Sequence, residues 1–470
     1  MKIVYEFIAY VLSIFRDSLV LVLIAGALFA VVVMAAYCIH KRKFHGEKKF
    51  PWGKVVLWLA FAGYVMIVLY ATLMRMSGFR MQYNLHLFKA WREAWNNYSV
   101  KNIANVLLNV AMFVPFGFLL PLLWKPCKKW YIAITTGFGF SLFIELIQLL
   151  TRRGVCDVDD LFCNTLGAVI GYFLIMAALA IFVEKKWKPT LIYGSLSLAC
   201  VLSFCSIFLI YNTQEYGNLA IAPSYTVDVS DVKWTLTCEL PEMPAELPVY
   251  QNQRRTLQDC DVFAEEFKRI IPTEYNTISY YEEAAYYMDN GSDGGAHFLY
   301  VYYADQSFSY DALYDDEVPW AEADRKTIET ALEKYHVLIP DCAEFTQEGE
   351  GWHSFRVDQY IDGAVMFDGL LRVRYAEDGS VRNIENNLLP YTYHNDVKII
   401  SSSEAYQRLC AGKFNDGGRL EYEAPKEITV INCTLQYQID TKGFYQSVYS
   451  FEVVSEDGQY QYQIQIPAMM

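Results

Sequence analysis

The chain has 470 residues, 54% apolar, 16% aromatic and 20% charged, a length that suggests about three domains. Residues 1–215 hold 21 Lys and Arg against 10 Asp and Glu, a net of +11; residues 216–470 hold 18 against 43, a net of −25, which together give the −14 of the whole chain. An oily, basic half joined to a polar, acidic half excludes a single soluble globular domain, and it argues against nucleic acid as a partner, because the water-exposed half repels phosphate.

Crossing a bilayer takes about 20 apolar residues. Six runs reach that length: Ser18–Ile39, Val55–Met74, Asn102–Trp124, Trp130–Thr151, Leu161–Val183 and Pro189–Gln214. The first is too long for a signal h-region and reads as an uncleaved helix. Lys41, Arg42, Lys43, Lys48, Lys49 and Lys54 crowd the first loop, Lys125, Lys128 and Lys129 the third, and Lys185, Lys186 and Lys188 the fifth. These loops alternate with the sparser 75–101 and 151–159, so the positive-inside rule places them in the cytoplasm. The N-terminus and residues 216–470 then lie outside. The expected localisation is the plasma membrane, multi-pass, with an extracytoplasmic C-terminal domain. Within 78–101, Trp91, Trp95 and Tyr98 recur at helical spacing. That predicts a short helix on the outer interface, with a plain aromatic belt as the alternative.

Polar residues interrupt three of the spans. Asn102, Asn105 and Asn109 share one helix face, as do Glu145, Gln148 and Arg152. Asp157 and Asp159 open the fifth span, and Asp160, Asn164, Gly167 and Gly171 line one face of it. All of these fall on the outer side in the topology above. Polar groups in a bilayer are costly and pair with one another, and an intramembrane acid such as Glu145 is a functional candidate by default. Gly167 and Gly171 allow close backbone approach, and Pro115 with Gly117 should loosen the third span. Glu145 is expected to be protonated or paired with Arg152 or Arg153. The plainer readings are that Asp157 and Asp159 cap a helix and that the Asn residues join helices. Glu145, Asp157 and Asp160 could hold a hard cation, but no spacing is diagnostic, so no metal and no cofactor is expected.

The series Asn102-x2-Asn105-x3-Asn109, Phe113-x-Pro115-x-Gly117, Glu145-x2-Gln148-x3-Arg152 and Asp157-x-Asp159-Asp160-x3-Asn164-x2-Gly167-x3-Gly171 resembles the VanZ-like membrane proteins over about residues 54–185. The resemblance implies a link to the cell envelope, since the family's namesake is associated with resistance to teicoplanin, a lipid-bearing glycopeptide antibiotic.

The acidic half reads as α+β. Arg255–Ile271 and Ala321–His336 are helix candidates, with strands over Tyr275–Asp289 and His297–Tyr310. A second cycle follows: strands Ser354–Ile361, Ala364–Tyr375 and Val381–Pro390 with turns at Asp362-Gly363 and Asp378-Gly379, a helix over Ser402–Ala411, and strands Glu427–Asp440, Gln446–Ser455 and Gln459–Ile466. This cycle is similar to PepSY or YycI-like modules in its Asp362-Gly363 turn, its short helix Ser401–Cys410 and the closing Val448-Tyr449-Ser450-Phe451 and Ile466-Pro467-Ala468. The resemblance implies binding of envelope proteins rather than catalysis, and the first cycle is a candidate diverged copy. Neither HExxH nor GxSxG occurs. Gly291-Ser292-Asp293-Gly294-Gly295 reads as a hairpin turn. The cysteines lack CxxC pairs, which argues against a zinc site and a dense disulfide framework.

The expected fold is therefore a six-helix membrane bundle over 1–215, with a VanZ-like core at 54–185, followed by α+β subdomains at 216–340 and 341–470. The expected function is binding of a membrane lipid or lipid-linked cell-wall precursor at the outer leaflet of a Gram-positive envelope. The ligand residues would be Asn102, Asn105, Asn109, Glu145, Gln148, Arg152, Asp157, Asp159, Asp160 and Asn164, and residues 216–470 would engage an envelope protein. Two other readings stay open. One is an intramembrane enzyme using Glu145 as acid/base with Asp157 or Asp160 beside it. The other is a regulator in which the outer domain senses and the bundle only anchors.

Overall fold

The computed structural model describes residues 51–74, 82–271, 273–281, 283–290, 295–314, 318–335, 337–420, 425–456, 458 and 461–470, with helical positions at 31, 33–35, 37–39 and 42. The chain forms two compact units, Met1–Gln214 and Glu215–Met470. The expected first span, the loop at 41–54, the Gly291–Gly294 stretch and His336 lie largely or wholly outside the described residues.

In the first unit, α1 (Trp52–Leu69) widens into a π turn at Tyr70–Met74 and is followed by β1 (Gln82–Asn84) and α2 (Lys89–Asn97). Then come α3 (Val100–Leu123), α4 (Trp130–Thr151), β2 (Val155–Asp157), α5 (Val158–Phe182) and α6 (Trp187–Thr213). Five helical stretches among the described residues are long and apolar enough to cross a membrane: Trp52–Leu73, Lys101–Leu123, Trp130–Thr151, Val158–Phe182 and Trp187–Thr213. At 1.5 Å per residue, the 25 residues of α5 reach about 37 Å, enough for the hydrocarbon core. Leu191, Ile192, Val201, Leu202 and Leu209 of α6 are exposed, a surface suited to lipid rather than water. The chain is a multi-pass membrane protein.

The helices meet through Phe113 and Phe116 of α3, Ala133 and Ile144 of α4, and Ala168 and Tyr172 of α5. α3 and α5 run parallel and press close. A Cβ at Gly167 would lie 2.0 Å from the Val110 carbonyl oxygen, and one at Gly171 the same distance from that of Val114. This is the close approach that small residues permit. α3 stays helical through Pro115 and Pro121, so the expected loosening at Pro115 is not a break; the packing of α5 against this stretch holds it. The short helix expected in 78–101 is α2, and its aromatics pack on neighbouring helices. Trp91 stacks on Phe204, and Trp95 meets Tyr211 edge-on.

The second unit holds β3 (Lys233–Leu236), β4 (Glu246–Gln251), α7 (Leu257–Ile270), β5 (Thr277–Tyr280), β6 (Ala284–Asp289), β7 (Gly295–Tyr302), β8 (Phe308–Tyr314) and α8 (Arg325–Leu332). After these come β9 (Glu344–Gly349), β10 (Trp352–Asp362), β11 (Val365–Tyr375), β12 (Val381–Asn386), β13 (Leu389–Lys398), α9 (Ser402–Cys410), β14 (Glu427–Ile439), β15 (Phe444–Ser455) and β16 (Gln461–Pro467). All fourteen strands join one sheet in the order β3-β14-β15-β4-β13-β11-β12-β8-β7-β6-β5, with β10 and then β9 beside β11, and β16 beside β15.

Each helix is followed by an antiparallel meander: α7 by β5–β8, α8 by β9–β12, α9 by β14–β16. Three such cycles stand where two were expected. The first two share one core, in which Phe267 of α7, Ile328 of α8, Leu299 of β7 and Leu371 of β11 are buried together. The expected division at 340/341 therefore cuts through a continuous core. The third cycle builds its own from Ala405 and Leu409 of α9 with Val430, Tyr449, Phe451 and Ile466. Caps fix the helix starts: Thr256 and Asp259 form a reciprocal capping box on α7, Asp324 caps α8 and Ser401 caps α9. None of the eleven cysteines is disulfide-bonded.

Candidate functional site

The polar residues gather at the end of the bundle where α3 and α5 begin and α4 ends. The basic loops Lys125–Lys128 and Lys185–Lys188 lie at the other end. β1 and β2 form a two-stranded parallel pair there, with Asn84 opposite Asp157. Asn84 donates its amide to both carboxylate oxygens of Asp157 at 3.0 and 3.1 Å. Asp157 in turn accepts from the Asp159 N–H at 2.8 Å and so caps α5. Its own N–H donates to Glu145 Oε2 at 2.9 Å, which ties α4 to the start of α5.

Asp159 has a different task. Its two carboxylate oxygens accept from the N–H groups of Phe88 and Ala90, at 2.5 and 2.7 Å. Those N–H groups open α2 and have no partner within the helix, so Asp159 caps a helix other than its own. The carboxylate at the positive end of the α2 dipole adds to this. The side chain is 1% exposed. Asp160, one residue on, accepts from the Asn109 amide of α3.

One turn deeper, Asn164 of α5 donates to Ser141 Oγ of α4 at 2.9 Å. Gln148 donates to the Thr72 carbonyl at 3.1 Å, an oxygen presented by the π turn that ends α1. Gly154 closes the turn over Gln148 with φ +136°, and a Cβ there would lie 3.0 Å from Gln148 Nε2. Glu145, Gln148, Asp159 and Asn164 are all buried.

Of the ten residues expected at the site, Glu145, Asp157 and Asp159 are joined through one hydrogen-bonded set and Asn109 and Asp160 form a second beside it, with Gln148 and Asn164 one turn away on either side of Glu145. Asn102, Asn105 and Arg152 are not. Asn105 is exposed, and only Asn109 lies at the level of Asp160. Arg152 ends α4 in the left-handed region, with φ 57° and its side chain exposed. Glu145 bonds to a backbone N–H, where protonation or pairing with Arg152 or Arg153 was expected. Sequence reasoning missed Asn84, Ser141, the Thr72 carbonyl and the α2 backbone. No sequence signal marks the α2 capping, since Asp159 stands at the start of α5, 69 residues from Ala90. Among the described residues no group of three or more His, Cys, Asp and Glu is placed to hold a metal ion.

Residues 52–183 match the VanZ/LLP1 family model. The chain carries a VanZ/LLP1 domain. Over 158 residues it is 29% identical to Protein VanZ of Enterococcus faecium, covering 32% of this chain and 91% of that protein. Among solved structures, the Bacillus megaterium YpeB C-terminal domain aligns at 12% identity with a TM-score of 0.17, over 47% of this chain and 95% of that one. The VanZ/LLP1 span takes in α1 to α5 and every residue of the polar end described above.

Proposed function

We propose that the VanZ/LLP1 domain binds a lipid-borne headgroup, from a membrane lipid or a lipid-linked cell-wall precursor, at the outer leaflet of a Gram-positive envelope. Residues 216–470 face outward in this reading and engage an envelope protein. The observation that carries it is that Glu145 and Asp160 both stand at the polar end of the bundle, each met by a neutral donor, the Asp157 N–H and the Asn109 amide. Asp157 and Asp159 have structural tasks as caps. Glu145 and Asp160 cap nothing, yet they stand on helices otherwise suited to hydrocarbon, where an acid is costly and marks function. The orientation rests on the basic loops at the opposite end.

The link to glycopeptides follows from the family resemblance. The domain is proposed to raise tolerance of teicoplanin, whose lipid tail would bring it to the same leaflet. Inhibitory concentrations of teicoplanin and vancomycin in a susceptible Gram-positive host test this. The intact gene should raise the value for teicoplanin, and Glu145→Gln or Asp160→Asn should abolish the rise. A rise that persists in both variants would overturn the site. Labelling of the exposed Cys342 by a membrane-impermeant maleimide in intact cells tests the orientation; protection of Cys342 until lysis would reverse it.

A further inference from the structure

Among the described residues, the polar end of the bundle holds more acceptors than donors. Four carboxylates, those of Glu145, Asp157, Asp159 and Asp160, meet the backbone N–H groups of Phe88, Ala90, Asp157 and Asp159 and the side-chain amides of Asn84 and Asn109. No Lys or Arg among the described residues forms an ion pair with any of the four. Lys89 pairs with Glu93, and Arg152 is exposed. Buried acids without a cation are strongly disfavoured, and more so in a membrane.

A second observation points the same way. Asn164 is 2% exposed and its Oδ1 has no hydrogen-bond donor. It lies one turn beyond Asp160 on α5 and bonds Ser141, one turn before Glu145 on α4, so its amide bridges the two helices one turn from both carboxylates. Gln148, 6% exposed, lies about one turn from Glu145 on the other side, and its Oε1 also has no donor. A buried acceptor left unmet costs about 1–3 kcal/mol. An unmet acceptor one turn from carboxylates that have no cation among the described residues calls for a ligand that brings both N–H donors and positive charge.

We propose that this end of the bundle binds the primary ammonium group of an aminolipid headgroup. The inference rests on the headgroup-binding reading above and narrows it. An ammonium supplies three donors and one positive charge. A phosphate would add acceptor oxygens and negative charge to a site that has too many of both. A quaternary ammonium carries the charge without any N–H.

The test uses the full-length protein, purified in detergent and exposed to mixed micelles of one lipid at a time, with retained lipid read by mass spectrometry. The probes are phosphatidylethanolamine, phosphatidylcholine and phosphatidylglycerol of matched chain length. Phosphatidylethanolamine should be retained about tenfold or more over the other two, the range expected of hydrogen bonds to charged groups. Asp160→Asn and Asn164→Leu should each remove that preference while retention of the other lipids stays as it was. Equal retention of the ethanolamine and choline lipids would overturn the donor argument. Preference for phosphatidylglycerol, if lost in Asp160→Asn, would overturn the ammonium class and keep the headgroup site. No lipid retained above the Glu145→Gln, Asp160→Asn double variant would overturn both. The comparison among lipids on the unaltered protein stands even if a variant fails to fold.

Discussion

Replacing Gly167 by Ala should pry α3 from α5. The added Cβ would lie 2.0 Å from the Val110 carbonyl oxygen and 3.1 Å from Phe113 Cβ, where ordinary contact begins at 3.4 Å. The first obstacle is backbone, so rotation of a side chain cannot relieve it and the helices must part by about 1.4 Å locally. Overpacking of this kind costs about 1–3 kcal/mol. Gly171→Ala meets the Val114 oxygen at 2.0 Å and the Phe118 nitrogen at 2.8 Å, so its cost is similar. The two share one seam, and the parting forced by the first methyl makes room for the second. The double variant should therefore cost less than the sum of the single ones. Cys163 of α5 is 1% exposed and reports opening of this seam. Its modification by a small membrane-permeant thiol reagent should quicken roughly 5-fold to 100-fold in Gly167→Ala. The other ten cysteines are first replaced by alanine, so that Cys163 alone is read. Gly139→Ala is the control, since nothing lies within 4 Å of its added Cβ. Unchanged melting and unchanged Cys163 reactivity in Gly167→Ala would refute the close crossing of α3 and α5.

Three further outcomes follow. Asp159→Ala should free the start of α2 at a cost of about 1–2 kcal/mol, seen as faster hydrogen exchange at the Phe88 and Ala90 amides; unchanged exchange there would count against capping by Asp159. Asp440→Ala should cost about 3 kcal/mol or more in urea unfolding of the second unit, because the Asp440 carboxylate accepts from the N–H groups of Gly217, Lys442 and Phe444 and from Gln446 Nε2; Asp440→Asn should recover part of the loss. Arg372 donates to Glu348 at 2.7 and 3.1 Å and holds its carboxyl below the ordinary value of 4.5. That stabilisation is present above pH 4.5 and is lost as the pH falls through the depressed folded value. It should be small, under about 1 kcal/mol for so solvated a pair, and Glu348→Gln should remove it from the acid side of a stability–pH curve.

Sequence showed most where chemistry is written in side chains at a fixed period. The set Asp160, Asn164, Gly167 and Gly171 lies on one face of α5, and the structure uses all four: Asp160 on Asn109, Asn164 on Ser141, the glycines on the carbonyls of α3. Spacing alone could not tell which Asn of α3 stands level with Asp160, since that depends on how far one helix slides along the other. Asn102 and Asn105 have the right period and the wrong height. The partners that sequence left out are mostly backbone groups, such as the α2 N–H groups and the Thr72 oxygen, and these carry no residue signature.

The second unit divides the same way. Hairpins at Asp362-Gly363 and Asp378-Gly379 were legible because turn chemistry is local, and β10–β11 and β11–β12 flank them. β3 and β4 were not, since β3 pairs in parallel with β14, and β4 antiparallel with β13, across more than a hundred residues. β9 escaped for another reason. It ends one branch of the sheet with Glu344, Gln347 and Glu348 exposed, and charged edges of that kind deter pairing with another chain. The charges that protect the edge also make it read as a loop.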